Sequence, residues 1–261
     1  MKPILNLFGK RHAAPVRADP APRLALSEMP AALYVVGDIH GCHHLLRQLE
    51  QRIIEDGQGI PGSKLIVHVG DFVDRGGQSA EVIDHLIAAP PAGFERLCLL
   101  GNHELLMREF LSAPRPGANW LSFGGLETLM SYGISEQQIH STRNLRMLLD
   151  AVIPEEHRSF LANLALSLDL PEHFITHAGI DPATPLARQT AHDLLWMREP
   201  FLSWEGPLEK VVIHGHTPCK EVEVKNNRIC VDTGAYASGR LSAVRVRAGE
   251  PPVVIEARHG A

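Results

Sequence analysis

The sequence predicts a layered α/β fold. Apolar, β-favouring runs at 33–36, 65–69 and 97–100 each lead into a glycine-bounded turn that carries Asp, His or Asn. After the first two turns, apolar residues recur at helical spacing over 45–54 and 79–88. Strand–turn–helix repeats of this kind are typical of layered α/β proteins, whose functional residues lie on loops at the strand ends.

Length and composition indicate an ordinary globular chain. Its 261 residues suit one large domain or two small ones. The hydrophobic fraction of 44% is sufficient for a sizeable core. With a net charge of −5 and mixed acids and bases, the chain lacks the basic footprint of a nucleic-acid-binding protein, so no nucleic-acid partner is expected.

The first 25 residues are basic and rich in proline and alanine. The apolar run at 4–8 is shorter than the roughly 7–15 residues of a signal-peptide core. No stretch approaches the roughly 20 apolar residues that span a bilayer. We therefore expect a flexible tail over 1–25, a folded domain over 26–258, a cytoplasmic location and no stable membrane association. A weak interfacial anchor in the tail is the alternative.

The segment 110–165 differs from its surroundings. It contains two prolines, a WLSFGG segment at 120–125, and helical patterns at 126–130 and 145–152, with no clear strand. We interpret it as a helical insertion or cap.

Strands then return, and each leads into a short polar motif. The pairs of strand and motif are 174–176 with HAG, 211–213 with HGHT, and 228–231 with DTGAY. Two further apolar runs, at 241–246 and 253–257, predict a closing antiparallel pair.

Six residues in these turns have the character of ligands in a two-metal site: Asp38, His40, Asp71, Asn102, His177 and His216. Mixed carboxylate, imidazole and amide ligands suit Mn, Fe or Zn better than Mg or Ca. Asp71, in the middle motif, is the natural bridge between two ions about 3.5–4 Å apart. Two such ions lower the pKa of a shared water, whose hydroxide could attack phosphorus directly.

Other motif residues suit acid catalysis and phosphate binding. His103 directly follows Asn102, so we expect it to point away from the metals and toward a leaving group. Asp74 could hold that imidazole protonated and oriented. Arg75 and Arg198 could bind phosphoryl oxygens, because the guanidinium fork matches their geometry.

Each of these residues alone has an ordinary explanation. A single Asp after a strand is commonly a turn former, and Asp232 is left out of the site on that ground. His177 alone would be a hydrogen-bonded core or loop histidine, and a supporting role for His214 stays open. The four cysteines lack the spacing of a zinc knot or disulfide framework and are interpreted as reduced thiols.

Five motifs in order, GDIHG, GDFVDRG, GNHE, HAG and HGHT, resemble the signature of the phosphoprotein phosphatase family of calcineurin-like metallophosphoesterases. WLSFGG, DLLWMREPFL and RICVDTGAYASG are similar to its bacterial branch, which includes a lambda phage enzyme. The resemblance covers about residues 32–247. It implies a β-sandwich flanked by helices, with the site at one edge.

The resemblance also implies roles for individual residues. It assigns one metal to Asp38, His40 and Asp71, and the other to Asp71, Asn102, His177 and His216. It implies a general acid and its partner, phosphate ligands, and a phosphate-proximal tyrosine: His103 with Asp74, Arg75 with Arg198, and Tyr236. Two divalent ions are expected, with manganese favoured over iron or zinc.

One position departs from the family pattern. Many members have Arg immediately before GNHE, and this chain has Leu100. Either the phosphate clamp has one arginine fewer and binds substrate less tightly, or another arginine such as Arg240 takes its place.

These observations predict a metal-dependent phosphomonoester hydrolase that acts on a phosphoprotein or a small phosphoester. The VDRG of the second motif favours a serine/threonine protein phosphatase, with dual specificity as a variant. The alternative is a hydrolase of diadenosine tetraphosphate or another nucleotide. Such relatives tend to have an altered second motif and GNHD, whereas this chain has Asp74 and Glu104. The third alternative is a non-catalytic regulatory binding module.

Overall fold

The computed structural model describes residues 21–260, which form two β-sheets packed face to face with helices on their outer sides. The predicted α/β class with a central sandwich is therefore confirmed. In sheet order, the first sheet contains β1 (Arg23–Ala25), β5 (Ser167–Asp169), β6 (His173–Thr176), β7 (Val211–His214), β9 (Arg228–Cys230) and β8 (Glu223–Val224). The second contains β11 (Val253–Arg258), β10 (Arg240–Val246), β2 (Ala32–Val36), β3 (Lys64–His68) and β4 (Glu95–Cys98).

Parallel pairing brings the motif turns together. Strands β2, β3 and β4 are mutually parallel, and so are β6, β7 and β9. The carboxyl ends of parallel strands lie at the same edge of a sheet, so the turn after each strand is presented at that edge. As predicted, β10 and β11 form an antiparallel pair.

The core has two layers. Between the sheets, apolar side chains that alternate along the strands face each other, among them Val35, Val67, Ile175 and Ile213. Because every second residue of a strand faces the same way, the opposite faces are left to pack against helices.

The helices are α1 (His43–Gly57), α2 (Ser79–Ile87), α3 (Asn102–Ser112), α4 (Leu126–Ser131), α5 (Glu136–Ser141), α6 (Leu145–Val152), α7 (Glu155–Ala162), α8 (Ala191–Trp196) and α9 (Ala235–Ser238). In α1 the buried positions Leu45, Leu46, Leu49 and Ile53 follow helical spacing and form one stripe against the core. None of the helices in residues 21–260 is long and apolar enough to cross a membrane.

The predicted insertion contains α4 to α7, and a single turn of π-helix, Leu121–Gly125, precedes α4. Within that turn Gly124 has a φ of 115°, which breaks the helical path. The turn and α4 lie beside the second motif, because a Cβ at Gly124 would be 2.8 Å from the Cβ of Asp74. The WLSFGG segment therefore packs against the second motif, GDFVDRG.

The expected end of the tail at residue 25 is wrong. Arg23–Ala25 is β1, which pairs in parallel with β5, and the Leu166 N–H donates to the Pro22 carbonyl at 2.7 Å. A three-residue strand carries too little periodicity to be recognised from sequence, since its partner lies far along the chain. The rest of the predicted tail, residues 1–20, lies outside the described residues.

Deleting residues 1–25 should destabilise the fold relative to deleting residues 1–20, because only the longer deletion removes β1. The lost ladder and flanking backbone hydrogen bonds contribute about 0.5–1.5 kcal/mol each. At about 2–4 °C per kcal/mol, the longer deletion should unfold several degrees lower in a thermal melt. Equal midpoints for the two deletions would contradict a structural role for β1.

Candidate metal centre

The motif turns hold their residues in an uncommon backbone conformation. Among residues 21–260, five non-glycine residues have positive φ, and all are predicted site residues: His40 (45°), Asp71 (52°), Asp74 (73°), Arg75 (65°) and His216 (67°). Such conformations cost about 1–3 kcal/mol each and persist only where the surroundings hold them. Strain of this kind clusters at functional sites.

Glu104 holds the second motif in place. One carboxylate oxygen accepts hydrogen bonds from the N–H groups of Asp71 (2.8 Å) and Gly101 (3.0 Å), and the other from Phe72 (2.7 Å) and Val73 (3.2 Å). Sequence reasoning used Glu104 only to compare relatives and missed this role. The signal was present, because a Glu at the third position of a helix commonly caps its N-terminus.

Three side chains converge with Asp71 on one point. Asn102 Oδ1 lies 2.8 Å from His177 Nε2 and 2.9 Å from His216 Nδ1, and the two nitrogens are 3.2 Å apart. Asp71 Oδ2 is 3.4 Å from His177 Nε2. Metal–nitrogen bonds of about 2.0–2.1 Å place neighbouring ligand atoms about 3.0–3.4 Å apart, so these spacings are those of atoms that share an ion.

Histidine orientation also suits a metal. The Nδ1 of His177 lies 3.1 Å from the Val69 carbonyl, and the Nδ1 of His40 lies 2.8 Å from the Val73 carbonyl. An Nδ1–H that donates to a carbonyl leaves Nε2 with a free lone pair, the usual arrangement of a metal-binding histidine. Burial lowers the pKa of both imidazoles and so favours the neutral form that can bind metal.

The second half of the site contains Asp38, His40 and the shared Asp71. His40 Nε2 is 3.6 Å from Asp71 Oδ2. The Oδ2 of Asp38 accepts the N–H of His216 at 3.0 Å, but its buried Oδ1 has no hydrogen-bond partner. Burial raises the pKa of Asp38, with nearby Asp232 adding to the effect. An uncompensated buried carboxylate is costly, and a cation would satisfy it.

Asp71 is common to two clusters of candidate metal ligands. His40, Asp71 and His103 form one cluster, and Asp71, His177 and His216 form the other, each with its ligand atoms within 4.8 Å of one another. His103 belongs to the first cluster by distance only, because Asp74 holds its Nδ1 at 2.5 Å, and Asp38 is the third predicted ligand of that half. Burial opposes ionisation of Asp71, but its contacts with neighbouring histidines, including the His103 N–H that donates to Oδ1 at 3.0 Å, hold its pKa below the ordinary value. The donor set and its geometry therefore fit two divalent ions that share one carboxylate.

Beside this centre, His103 and Asp74 form a close pair. His103 Nδ1 is 2.5 Å from Asp74 Oδ2, and the Asp74 side chain is fully buried. Burial alone would lower the pKa of His103, but the Asp71 charge and the Asp74 hydrogen bond raise it to about 9. Both carboxylates therefore favour the protonated form of the imidazole, which is the form a general acid requires.

The predicted insertion supplies two further partners of the Asp74 carboxylate. The indole N–H of Trp120 donates to Oδ2 at 2.9 Å, and the Thr128 hydroxyl donates to Oδ1 at 2.6 Å. Sequence reasoning missed both residues. A lone Trp and a helical Thr usually indicate packing, and nothing local in the sequence links them to a carboxylate so far along the chain.

The centre opens into a pocket of about 320 Å³. It is lined by the predicted site residues His40, Asp71, Arg75, Asn102, His103, Arg198, His216 and Tyr236, together with Leu106, Phe123, Trp196, Pro218 and Asp232. The guanidinium of Arg75 lies 5.7 Å from the Tyr236 ring centroid, a cation–π distance. The structure therefore brings both predicted arginines and the tyrosine to the mouth of the site.

Two residues that the sequence left out of the site or left open are Asp232 and His214. Asp232 lines the pocket, although sequence reasoning left it out, and its Oδ1 also accepts the Gly234 N–H at 2.8 Å. Burial raises the pKa of Asp232 to about 7. His214 does not line the pocket. Its ring packs on Phe201, with centroids 4.9 Å apart.

Arg240 does not replace the arginine absent at position 100. It forms an ion pair with Glu256 at 3.7 Å, donates to the Lys220 carbonyl, and lines a different cavity. Leu100 itself is fully buried. The suggestion that Arg240 substitutes in the phosphate clamp is therefore wrong, because local partners hold its guanidinium away from the site.

The sandwich and its pocket of candidate metal ligands are the features expected of a metallophosphoesterase. The chain belongs to the calcineurin-like phosphoesterase family, whose model matches residues 32–231. This family uses a dinuclear metal centre, and the two ligand clusters suit one.

Individual relatives carry two kinds of name. Bis(5′-nucleosyl)-tetraphosphatase PrpE of Anoxybacillus flavithermus is 29% identical over 234 residues, covering 81% of this chain and 89% of that protein. Serine/threonine-protein phosphatase 2 of Escherichia coli is 28% identical over 223 residues, covering 82% of this chain and 93% of that protein. A solved structure of a candidate diadenosine tetraphosphatase is 24% identical with a TM-score of 0.65, covering 92% of this chain and 100% of that one. Similarity therefore extends to relatives named for protein and for nucleotide substrates.

Gly215→Ala should weaken metal binding, because a Cβ at this position would lie 2.0 Å from Asp38 Oδ1 and 2.9 Å from Val69 Cγ2. Displacing a ligand or its support typically lowers metal affinity by about 10–100-fold. Titration of the metal-free protein with Mn²⁺ in a calorimeter measures the change. Gly77→Ala is the matched control, since a Cβ there meets nothing within 4 Å. Unchanged affinity in Gly215→Ala would argue against Asp38 as a ligand.

Proposed function

We propose that this protein is a metal-dependent phosphomonoesterase that removes phosphate from serine and threonine side chains of proteins, with tyrosine as a further substrate. The observation that carries the proposal is the buried pair of His103, which lines the metal pocket, and Asp74, which lies behind it. The partners implied are phosphoproteins or small phosphoesters.

The predicted ligands Asp38, His40, Asp71, Asn102, His177 and His216 would hold two divalent ions, with manganese favoured over iron or zinc. Bound ions of this kind supply a hydroxide nucleophile and neutralise charge on the phosphoryl group. Arg75 and Arg198 bind the phosphoryl oxygens from the open side of the pocket, where guanidinium forks match their geometry.

His103 acts on the leaving group. Its Nδ1 is held by Asp74, so the proton on Nε2 is the one available to the ester oxygen. A serine or threonine alkoxide is a strong base, and its departure needs a proton in the transition state. The hydrogen bond to the buried Asp74 carboxylate favours the protonated imidazole that this step requires.

Hydrolysis of diadenosine tetraphosphate or another nucleotide is the second candidate. The similarity to PrpE, which is named bis(5′-nucleosyl)-tetraphosphatase, favours it. Its leaving group is a nucleotide phosphate, a weak base that departs without protonation. The buried His103–Asp74 pair therefore supports phosphomonoesters over anhydrides, because only the former require a general acid of this kind.

The two candidates predict opposite preferences. With Mn²⁺ supplied, kcat/KM for phosphoserine and phosphothreonine peptides should exceed kcat/KM for diadenosine tetraphosphate. Both are measured as release of phosphate or nucleotide, and the series is repeated with Fe²⁺ and Zn²⁺. A higher kcat/KM for the dinucleotide with every metal would exclude the protein phosphatase and favour the nucleotide hydrolase. Metal-loaded protein inactive on both would overturn both.

His103→Asn should lower kcat on a phosphoserine peptide by about 10²–10⁴-fold, the usual contribution of general acid–base catalysis. The loss should be much smaller on 4-nitrophenyl phosphate, whose leaving group is already a weak base. His140→Asn, at an exposed position on α5, is the control. Metal content, measured by mass spectrometry, should match wild type in both variants. An equal loss on both substrates would exclude His103 as the general acid.

A further inference from the structure

Two cysteines lie in contact beside the pocket. Cys219 and Cys230 have their sulfur atoms 3.3 Å apart, and both are free thiols. Cys230 is the last residue of β9, and Cys219 lies in the segment that precedes β8, the antiparallel neighbour of β9. The Cys219 N–H donates to the Asp232 carbonyl at 3.0 Å, and Glu223 is paired with Cys230. A disulfide bond is about 2.05 Å long, so the sulfurs need to approach by only a little more than 1 Å.

The two thiols differ in reactivity. The contact with Cys230 lowers the pKa of Cys219, and the same contact raises the pKa of Cys230. Cys219 is also partly exposed, whereas Cys230 is buried. An oxidant in solvent therefore reaches Cys219 before Cys230, and Cys230 is already in contact with the Cys219 sulfur. The thiolate is the nucleophilic form, so Cys219 is the attacking group.

The pair is joined to the pocket by short contacts. Cys219 is adjacent to Pro218, which lines the pocket, and its sulfur lies 3.0 Å from the Asp232 carbonyl. Cys230 lies 3.5 Å from the carbonyl of Thr217, the residue after His216. Formation of a disulfide would remove both S–H donors from these carbonyls. It would also draw the chain that carries His216 toward β9.

We propose that Cys219 and Cys230 form a reversible disulfide when the protein meets a hydroperoxide, and that this bond lowers the activity of the adjacent centre. The Cys219 thiolate attacks the peroxide, whose O–O bond breaks, leaving a sulfenic acid and, after protonation, water or an alcohol. The Cys230 sulfur then attacks the Cys219 sulfur. The S–O bond breaks and water leaves with the Cys230 proton.

This chemistry is distinct from that of the other two thiols. Burial raises the pKa of Cys42 to about 11 and that of Cys98 to about 12, which disfavours their reactive thiolate forms. Only Cys219 and Cys230 combine sulfur contact with a lowered pKa in one partner. Cys98→Ser therefore serves as the matched control for a cysteine substitution outside the pair.

Peptide mapping tests the bond without reference to activity. The metal-loaded full-length protein is treated with hydrogen peroxide, alkylated with iodoacetamide and digested with trypsin without reduction. We expect peptides 211–220 and 229–240 to be joined, at a mass two hydrogens below their sum, and to separate with dithiothreitol. Cys98→Ser should keep the link, and Cys219→Ala and Cys230→Ala should lose it. In Cys230→Ala, dimedone should label the Cys219 sulfenic acid. Separately alkylated peptides in oxidised wild type would overturn the proposal.

The effect on activity rests on the proposed function and is measured separately. Displacement of a catalytic group by about 1 Å can lower turnover by about 10²-fold, so kcat on 4-nitrophenyl phosphate should fall at least about tenfold on oxidation. Dithiothreitol should restore it, and Cys230→Ala should retain its activity in peroxide. Equal losses in wild type and Cys230→Ala would exclude the disulfide as the cause. If peroxide forms the disulfide but the reduced protein has no phosphatase activity, that result would contradict the proposed function and would still support the proposed disulfide.

Discussion

The Glu104 carboxylate is the constraint on which the site depends. It accepts four backbone N–H groups, three from consecutive residues of the second motif and one from Gly101 at the start of α3. These bonds hold Asp71 in a left-handed conformation that its side chain would otherwise disfavour. Asp71 belongs to both ligand clusters. By fixing Asp71, Glu104 therefore determines where both ions would bind, although Glu104 is not itself a predicted ligand.

The site also requires the two sheets to meet. Asp38 follows β2 in one sheet, and its Oδ2 accepts the N–H of His216, which follows β7 in the other. Gly215 permits this approach, because any Cβ there would collide with the same carboxylate. Packing between the sheets and assembly of the ligands are therefore coupled. A change that separates the sheet edges would be expected to weaken metal binding before it unfolds the core.

Much of this arrangement was predictable from sequence, because ligand-like residues after parallel strands must meet at one edge. The positions of Asp38, Asp71 and His177 follow from that rule alone. Trp120 and Thr128 were not predictable, since they reach Asp74 through the path of the insertion rather than through any local pattern. Three-residue β1, the pocket position of Asp232 and the local pairing of Arg240 likewise depend on partners distant in the chain.

The bonds from Trp120 and Thr128 to Asp74 have a consequence for attempts to redesign this protein. If the insertion only covered the pocket, it could be exchanged between homologues as an independent module. Such an exchange would transfer substrate preference. Here the same segment also holds Asp74, the partner of the proposed proton donor His103. A chimera that takes this segment from a homologue without an equivalent indole and hydroxyl would gain a new binding surface but lose two hydrogen bonds to Asp74. Recombination of this region should therefore preserve those two side chains and vary Phe123 and its exposed neighbours instead.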